Sequence, residues 1–343
     1  MSPGRAGRRT GHLFDAIVSF ANLWQAAHKA WRGKKDKVRI ADFYFNLEPE
    51  LLLLQHELIS GRYQPRPYHV FTVTDPKRRE IAAADFRDRV VHHAIIQILE
   101  PLFERRLIFD TYACRLGKGA HAAVQRAQTF ARRHPFFLKC DVRKYFQSVD
   151  HAILNTLLAR IIKDPLVLDL LARIIAHPVP GHATGKGIPI GNLTSQHFAN
   201  LYLGELDHFL KERMGIPSYL RYMDDFLCFG ESRSFLHGMH ETVRQFLADH
   251  LALELKETAT LLTPTSEGIP FLGFQLFPAT IRLPHRGMAR FRHNLAARTR
   301  AFQKGEIHER LLSLSIGSMI GHMVHADTLA LRRQLFSAVV DLG

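Results

Sequence analysis

The chain has 343 residues, 46% of them hydrophobic, which is enough for a sizeable core divided into two or three subdomains. Lys and Arg number 46 against 32 Asp and Glu, a net charge of +14, so the summed field attracts polyanions and nucleic acid is the first partner to consider. Three widely spaced cysteines without CxxC spacing exclude a disulfide framework and a zinc site, and no apolar run approaches the roughly 20 residues that span a bilayer. A cytoplasmic protein with no membrane partner is expected.

The Gly/Arg-rich residues 1–12 read as a disordered basic start. Helical spacing runs through 13–32 (Leu13, Ile17, Phe20, Leu23, Trp24, Ala27, Trp31), and a second helix covers about 40 to 59 with "LLLLQ" on its buried side. "YHVFTVTDPKRREIAAADF" reads as two strands around a turn that presents Lys77, Arg78 and Arg79. Such a tip suits phosphate contact and is equally compatible with a solvated turn. "FRDRVVHHAIIQILEPLFERR" is amphipathic, with Pro101 marking a kink or break, and "YACRLGKGAH" is a loop rich in Gly and cations.

Phe136 to Cys140 then forms an apolar strand ending in Asp141, and Asp150 is placed to cap the helix bearing Leu154, Leu157 and Leu158. A Gly-rich turn, "GIPIGNL", leads into a long helix closed near Gly215. In "RYMDDFLCFG" two apolar strand-forming runs flank Asp224 and Asp225. A straight strand alternates its side chains, so adjacent carboxylates serve one site only from a turn. An ordinary polar hairpin tip accounts for the pair. So does a metal site, since hard divalent cations take oxygen ligands and two of them about 4 Å apart stabilise both oxygens of a phosphoryl transfer. Asp141, at a strand end, is the third carboxylate. "FLHGMHETVRQFLADHLALEL" follows as a helix running into a strand, "GIPFLGFQLF" as a strand pair, and the tail from about 285 as helix. The expected class is α+β, an antiparallel sheet with helices on one face.

In this order the chain resembles a reverse transcriptase from residue 13 onward. "YMDD" at 222–225 resembles the polymerase palm hairpin, "FFLKCDVRKYF" the strand of the first catalytic Asp, and "FLGF" at 271–274 the primer grip. "DRVVHHAI", "YACRLGKGAH" and "IGNLTSQHFANLYL" are similar to the reverse transcriptases of diversity-generating retroelements. Most relatives, including group II intron enzymes, carry QGxxxSP at the last of these; here Ile190 and Gln196 replace its first and last members.

The resemblance implies a right-hand polymerase fold: N-terminal helices and fingers over 13–135, palm over 136–280 with a fingers-associated segment at about 160–195, and a helical thumb over 281–343. It leaves no room within these residues for an RNase H, integrase or endonuclease domain. It implies two Mg²⁺ ions, with Mn²⁺ as a substitute, held by Asp141, Asp224 and the Val142 carbonyl, with Asp225 a weaker ligand. Lys77 and Arg79 would clamp the incoming triphosphate. Phe146 would exclude a 2′-hydroxyl, unless it serves only the core. Ile190 and Gly191 would border the nascent pair, and Arg115, Lys118, Tyr222, Leu272 and Gly273 would contact template or primer. Lys256 is not assigned as proton donor to pyrophosphate. The implied partners are template RNA, the RNA/cDNA hybrid, dNTPs and a small basic accessory protein forming a pentameric helical barrel. The implied activity copies a template-repeat RNA into cDNA with errors at template adenines. A group II intron-like, retron or antiphage-defence reverse transcriptase, or a non-catalytic RNA-binding protein, is the alternative.

Overall fold

The structure, a computed structural model, describes residues 9–32, 38–74 and 78–340. The first expected helix is two: α1 (Phe14–Val18) and α2 (Phe20–Trp31) break at Ser19, whose extended backbone starts a new helix and whose hydroxyl accepts from the Asn22 amide. The second is also two, α3 (Val38–Phe45) and α4 (Leu47–Ile59), broken at Asn46. Within "LLLLQ" the helical period buries Leu51 and Leu54 but leaves Leu52 and Leu53 about half exposed. Residues 9–12 are not free: Thr10 exchanges backbone hydrogen bonds with Ile161 and Lys163, so the expected disorder does not extend to them. Residues 1–8 lie outside the described residues.

Strands β1 (His69–Val73) and β2 (Arg79–Ala83) pair antiparallel with Val73 opposite Arg79, and Lys77 falls outside the described residues. Helix α5 (Phe86–Glu104) is capped by Asp85 and runs through Pro101, so that proline does not end it. Helix α6 (Ala120–Ala131), strand β3 (Phe136–Asp141) and the short α7 (Tyr145–Ser148) follow. Asp150 caps α8 (His151–Ala159) as expected, through the Ala152 and Ile153 amides. Asp164 caps α9 (Pro165–Ala176) with one oxygen and holds the Leu13 and Phe14 amides with the other, tying the chain start to the centre.

Helix α10 (Leu193–His208) continues as a π-turn to Arg213 and is followed by β4 (Tyr219–Tyr222), β5 (Asp225–Gly230) and α11 (Arg233–Leu251). The strand expected at "LALEL" is absent, because Ala252 takes a left-handed φ of 50° and turns the chain. The strand forms later, as β6 (Leu261–Pro264), before the hairpin β7 (Ile269–Phe271) and β8 (Phe274–Leu276) with β9 (Ile281–Arg282). Helices α12 (His285–Gln303), α13 (Glu309–Met323) and α14 (Leu329–Val340) complete the chain.

The central antiparallel sheet has the order β4-β5-β3-β6, with β1-β2 and β7-β8-β9 as separate sheets. Alternation sends Leu138, Cys140, Tyr219, Phe226 and Cys228 into one core, which they share with residues of α10 and α11. It sends Phe137, Leu220, Leu227 and Phe229 into another, shared with residues of α6 and the β7-β8-β9 sheet. The α+β class holds, but the sheet is covered on both faces and not on one.

Candidate active site

Asp141 ends β3 directly opposite Asp225 of β5, and cross-strand partners share a face. Tyr222 pairs with Asp225, leaving Met223 and Asp224 as a two-residue turn. The two adjacent carboxylates therefore come from different structures: Asp224 belongs to the turn and Asp225 to the strand. Met223 holds a φ of 58°, a conformation disfavoured for a residue with a side chain. Its carbonyl accepts from Arg221 Nη1 at 2.9 Å, and the Asp224 carbonyl accepts from the Val142 amide at 3.3 Å.

The support beneath the turn is buried and charged. Arg221 is fully buried and bidentate to Asp207 of α10, Nε to Oδ1 at 2.7 Å and Nη2 to Oδ2 at 2.6 Å. Tyr219 and Thr111 hydroxyls donate to the same carboxylate, and Arg221 also reaches Asn200. Burial disfavours the guanidinium charge, but Asp207 outweighs it and raises the Arg221 pKa.

The three carboxylates open onto a cleft of about 1110 Å³. Arg79, Val142, Phe146, Ile190, Gly191, Tyr222 and Leu272 also line it, so the chain brings together ten of the expected site residues. Gly191 has a φ of 110°, and a Cβ there would lie 2.9 Å from Ile81 Cγ2. Its glycine is required by backbone conformation and by the close approach of β2. Phe146 both faces the cleft and packs against the main core.

Burial, then Asp141, pushes the Asp224 carboxyl up, with Arg79 and Arg221 opposing. Burial pushes Asp225 to about 6 against the opposing Lys139, and Asp141 and Asp224 add to the rise. Asp225 Oδ1 is buried without a partner. Unpaired, clustered oxygens of this kind fit hard divalent cations. Among the described residues no group of three His, Cys, Asp or Glu side chains is placed to hold a metal ion by itself. Mg²⁺ does not need one, since one or two carboxylates plus substrate phosphates and water complete its octahedron.

Two expected nucleic-acid contacts do not face the cleft. Arg115 donates to both Glu104 oxygens and to the Ile108 and Thr111 carbonyls, which leaves its side chain 7% exposed and makes it a loop staple. Lys118 donates to the Phe109 carbonyl and stands 3.4 Å above the Phe109 ring centroid. Gly273 serves the β7–β8 turn with a φ of 86°, while its neighbour Leu272 reaches the cleft. Sequence reasoning missed Arg143, Lys144 and His182 in the cleft wall, and Lys139, whose Nζ lies 2.9 Å from Asp225 Oδ2. Strand alternation could have found Lys139, two residues before Asp141 and therefore on its face.

Clustered carboxylates at a sheet end, in a cleft whose wall also carries Arg78, Arg79, Arg143 and Lys144, suit the stabilisation of phosphoryl charge by cations. The chain belongs to the reverse transcriptase (RNA-dependent DNA polymerase) family, whose model matches residues 74–276. It is 26% identical over 276 residues to protein YkfC of Escherichia coli, covering 67% of this chain and 72% of that protein. It is 22% identical over 328 residues to the group II intron-encoded protein LtrA of Lactococcus lactis, covering 76% of this chain but only 54% of LtrA. Among solved structures, apo telomerase from Candida tropicalis matches with a TM-score of 0.49 at 9% identity, over 64% of this chain and 49% of that one. No helix among the described residues is long and apolar enough to cross a membrane.

Proposed function

We propose that this chain copies an RNA template into DNA, with Asp141 and Asp224 as the metal-holding pair, Asp225 beside them, and the Val142 carbonyl as an added oxygen ligand. The observation that carries the reading is the register of Asp141 against Asp225 beside the Asp224 turn, within a cleft that also holds Arg79, Phe146 and Gly191. Bound Mg²⁺, or Mn²⁺ in its place, would supply a lowered pKa for the primer 3′-hydroxyl and neutralise the triphosphate and leaving pyrophosphate. Arg79 donates charge-assisted hydrogen bonds to the triphosphate. Phe146 packs beneath the sugar and excludes a 2′-hydroxyl, and Tyr222 and Leu272 border the primer end. Fingers, palm and thumb then correspond to residues 13–135, 136–280 and 281–343.

The finer reading is the mutagenic enzyme of a diversity-generating retroelement, working on a template-repeat RNA with a small basic accessory protein. Ile190 and Gln196, which replace Gln and Pro of the common pattern and both line the cleft, support it. The similarity to LtrA supports the second reading, a group II intron-like enzyme. Primer extension on a heteropolymeric RNA template with Mg²⁺, followed by sequencing of the cDNA, tests both levels. DNA product that requires Asp141 is expected, with substitutions concentrated opposite template adenine. Absence of product sinks the polymerase reading, and an error spectrum blind to the template base sinks the retroelement reading.

A further inference from the structure

Lys139 and Asp141 share a face of β3, and that face packs against the β7–β8 hairpin. The Lys139 side chain is 15% exposed, and its ammonium has two partners on different parts of the chain. It lies 2.9 Å from Asp225 Oδ2 and donates to the Pro270 carbonyl at 2.8 Å. The ring of Phe271, one residue further along β7, has its centroid 5.9 Å from the same nitrogen. One cation thus joins the Asp225 carboxylate to the strand that leads to Leu272, which lines the cleft from the hairpin tip.

We propose that Lys139 is a positioning residue that serves as an internal counter-cation for Asp225, holding that carboxylate out of the metal shell and fixing the β7–β8 hairpin at the same time. The proposal rests on the metal-holding role of Asp141 and Asp224. An ammonium at ion-pair distance neutralises one of the three carboxylates, so the charge left to attract divalent cations is that of the other two. The second hydrogen bond makes the same lysine the link between that carboxylate and the hairpin, 131 residues away in the chain. If the hairpin is displaced, Lys139 loses a partner that a half-buried ammonium needs, so the two positions are coupled.

The test is equilibrium Mn²⁺ binding, followed by electron paramagnetic resonance without nucleotide or primer, on the full chain carrying Lys139→Met, Lys139→Gln or Lys139→Arg. Removing the positive charge should tighten Mn²⁺ binding by about fivefold or more, since Asp225 is then released to the cation. Lys139→Arg, which keeps the charge, should stay within about twofold of the parent. Amide exchange at 269–276 should rise in the Met and Gln variants and remain near the parent level in Lys139→Arg. A lysine that merely stabilises the fold would shift melting temperature without tightening metal binding. Unchanged or weaker Mn²⁺ binding in folded Lys139→Met and Lys139→Gln, or no Mn²⁺ binding by the parent, overturns the proposal. Tighter binding in a chain that shows no primer extension would uphold it while removing the polymerase reading.

Discussion

One fully buried carboxylate and a cluster of three partly buried ones lie on either side of the same hairpin, and they are handled in opposite ways. Asp207 is fully buried, yet it receives both arms of Arg221 and the hydroxyls of Tyr219 and Thr111. Asp141, Asp224 and Asp225 are only partly buried, and among the described residues their one ion pair is Lys139 with Asp225, whose other oxygen has no partner there. Among the described residues, the counter-charge behind the turn is complete and that in front of it is not. The difference separates scaffold from site. A compensated carboxylate holds geometry, whereas an uncompensated one is left for a cation from outside.

The largest effect that can break this contrast is on stability. Arg221→Met leaves Asp207 buried and unpaired, at an expected cost of about 3 to 5 kcal/mol, measurable by denaturant unfolding. A loss under about 1 kcal/mol would mean that the buried pair is not what holds the turn. The front group should behave in reverse. Asp141→Asn or Asp224→Asn should lower cDNA synthesis by about 10²-fold or more while leaving metal-free stability equal or raised, because repulsion is relieved. Normal polymerisation by either purified variant removes the metal assignment, and strong destabilisation would make these residues scaffold as well.

Acid titration sharpens the comparison further. The Asp225 carboxyl, pushed up by burial to about 6, binds its proton more tightly in the folded chain than in the unfolded one. Its favourable contribution is full below the unfolded value near 4 and is lost as pH rises through about 6. Compared with Asp225→Asn, the metal-free parent should therefore gain on the order of 2 kcal/mol of stability as pH falls from 7 to 4.5, whereas the absolute slope also carries the opposing contribution of buried His92, whose pKa burial pushes down to about 3. Equal pH slopes in the parent and in Asp225→Asn would show that the front carboxylates are compensated after all. The smallest effect concerns the uncharged wall. Ile190→Gln would place a carboxamide in the cleft, and a net hydrogen bond is worth about 0.5 to 1.5 kcal/mol, or roughly 2- to 12-fold in discrimination. Misincorporation opposite template adenine should fall by that factor without loss of activity. An unchanged spectrum in sequenced cDNA would remove Ile190 from the fidelity argument.

How legible the molecule was in its sequence depended on how local each cause was. The β3 strand, the Asp150 cap, the Asp224 turn and the β7–β8 pair each rest on neighbours within a few residues, where alternation, capping and turn chemistry operate. Helix breaks at Ser19 and Asn46 were missed, since the apolar period continues across both and only the path of the packed chain interrupts it. The template contact expected of Arg115 rests on a guanidinium in a Gly-rich loop, which suits phosphate, whereas in the structure Glu104 and two carbonyls close around it.

The sequence by itself determined the carboxylates and their order along the chain, the basic charge and the α+β class, because these follow from residue type and spacing. Tertiary structure alone decided which charges are compensated. Asp207 meets Arg221, Lys139 meets Asp225 and the Pro270 carbonyl, and Gly191 meets Ile81 across separations from 14 to 131 residues. Desolvation and Coulomb forces act through space, so whether a buried charge belongs to the scaffold or to the site is fixed only when those distant partners arrive.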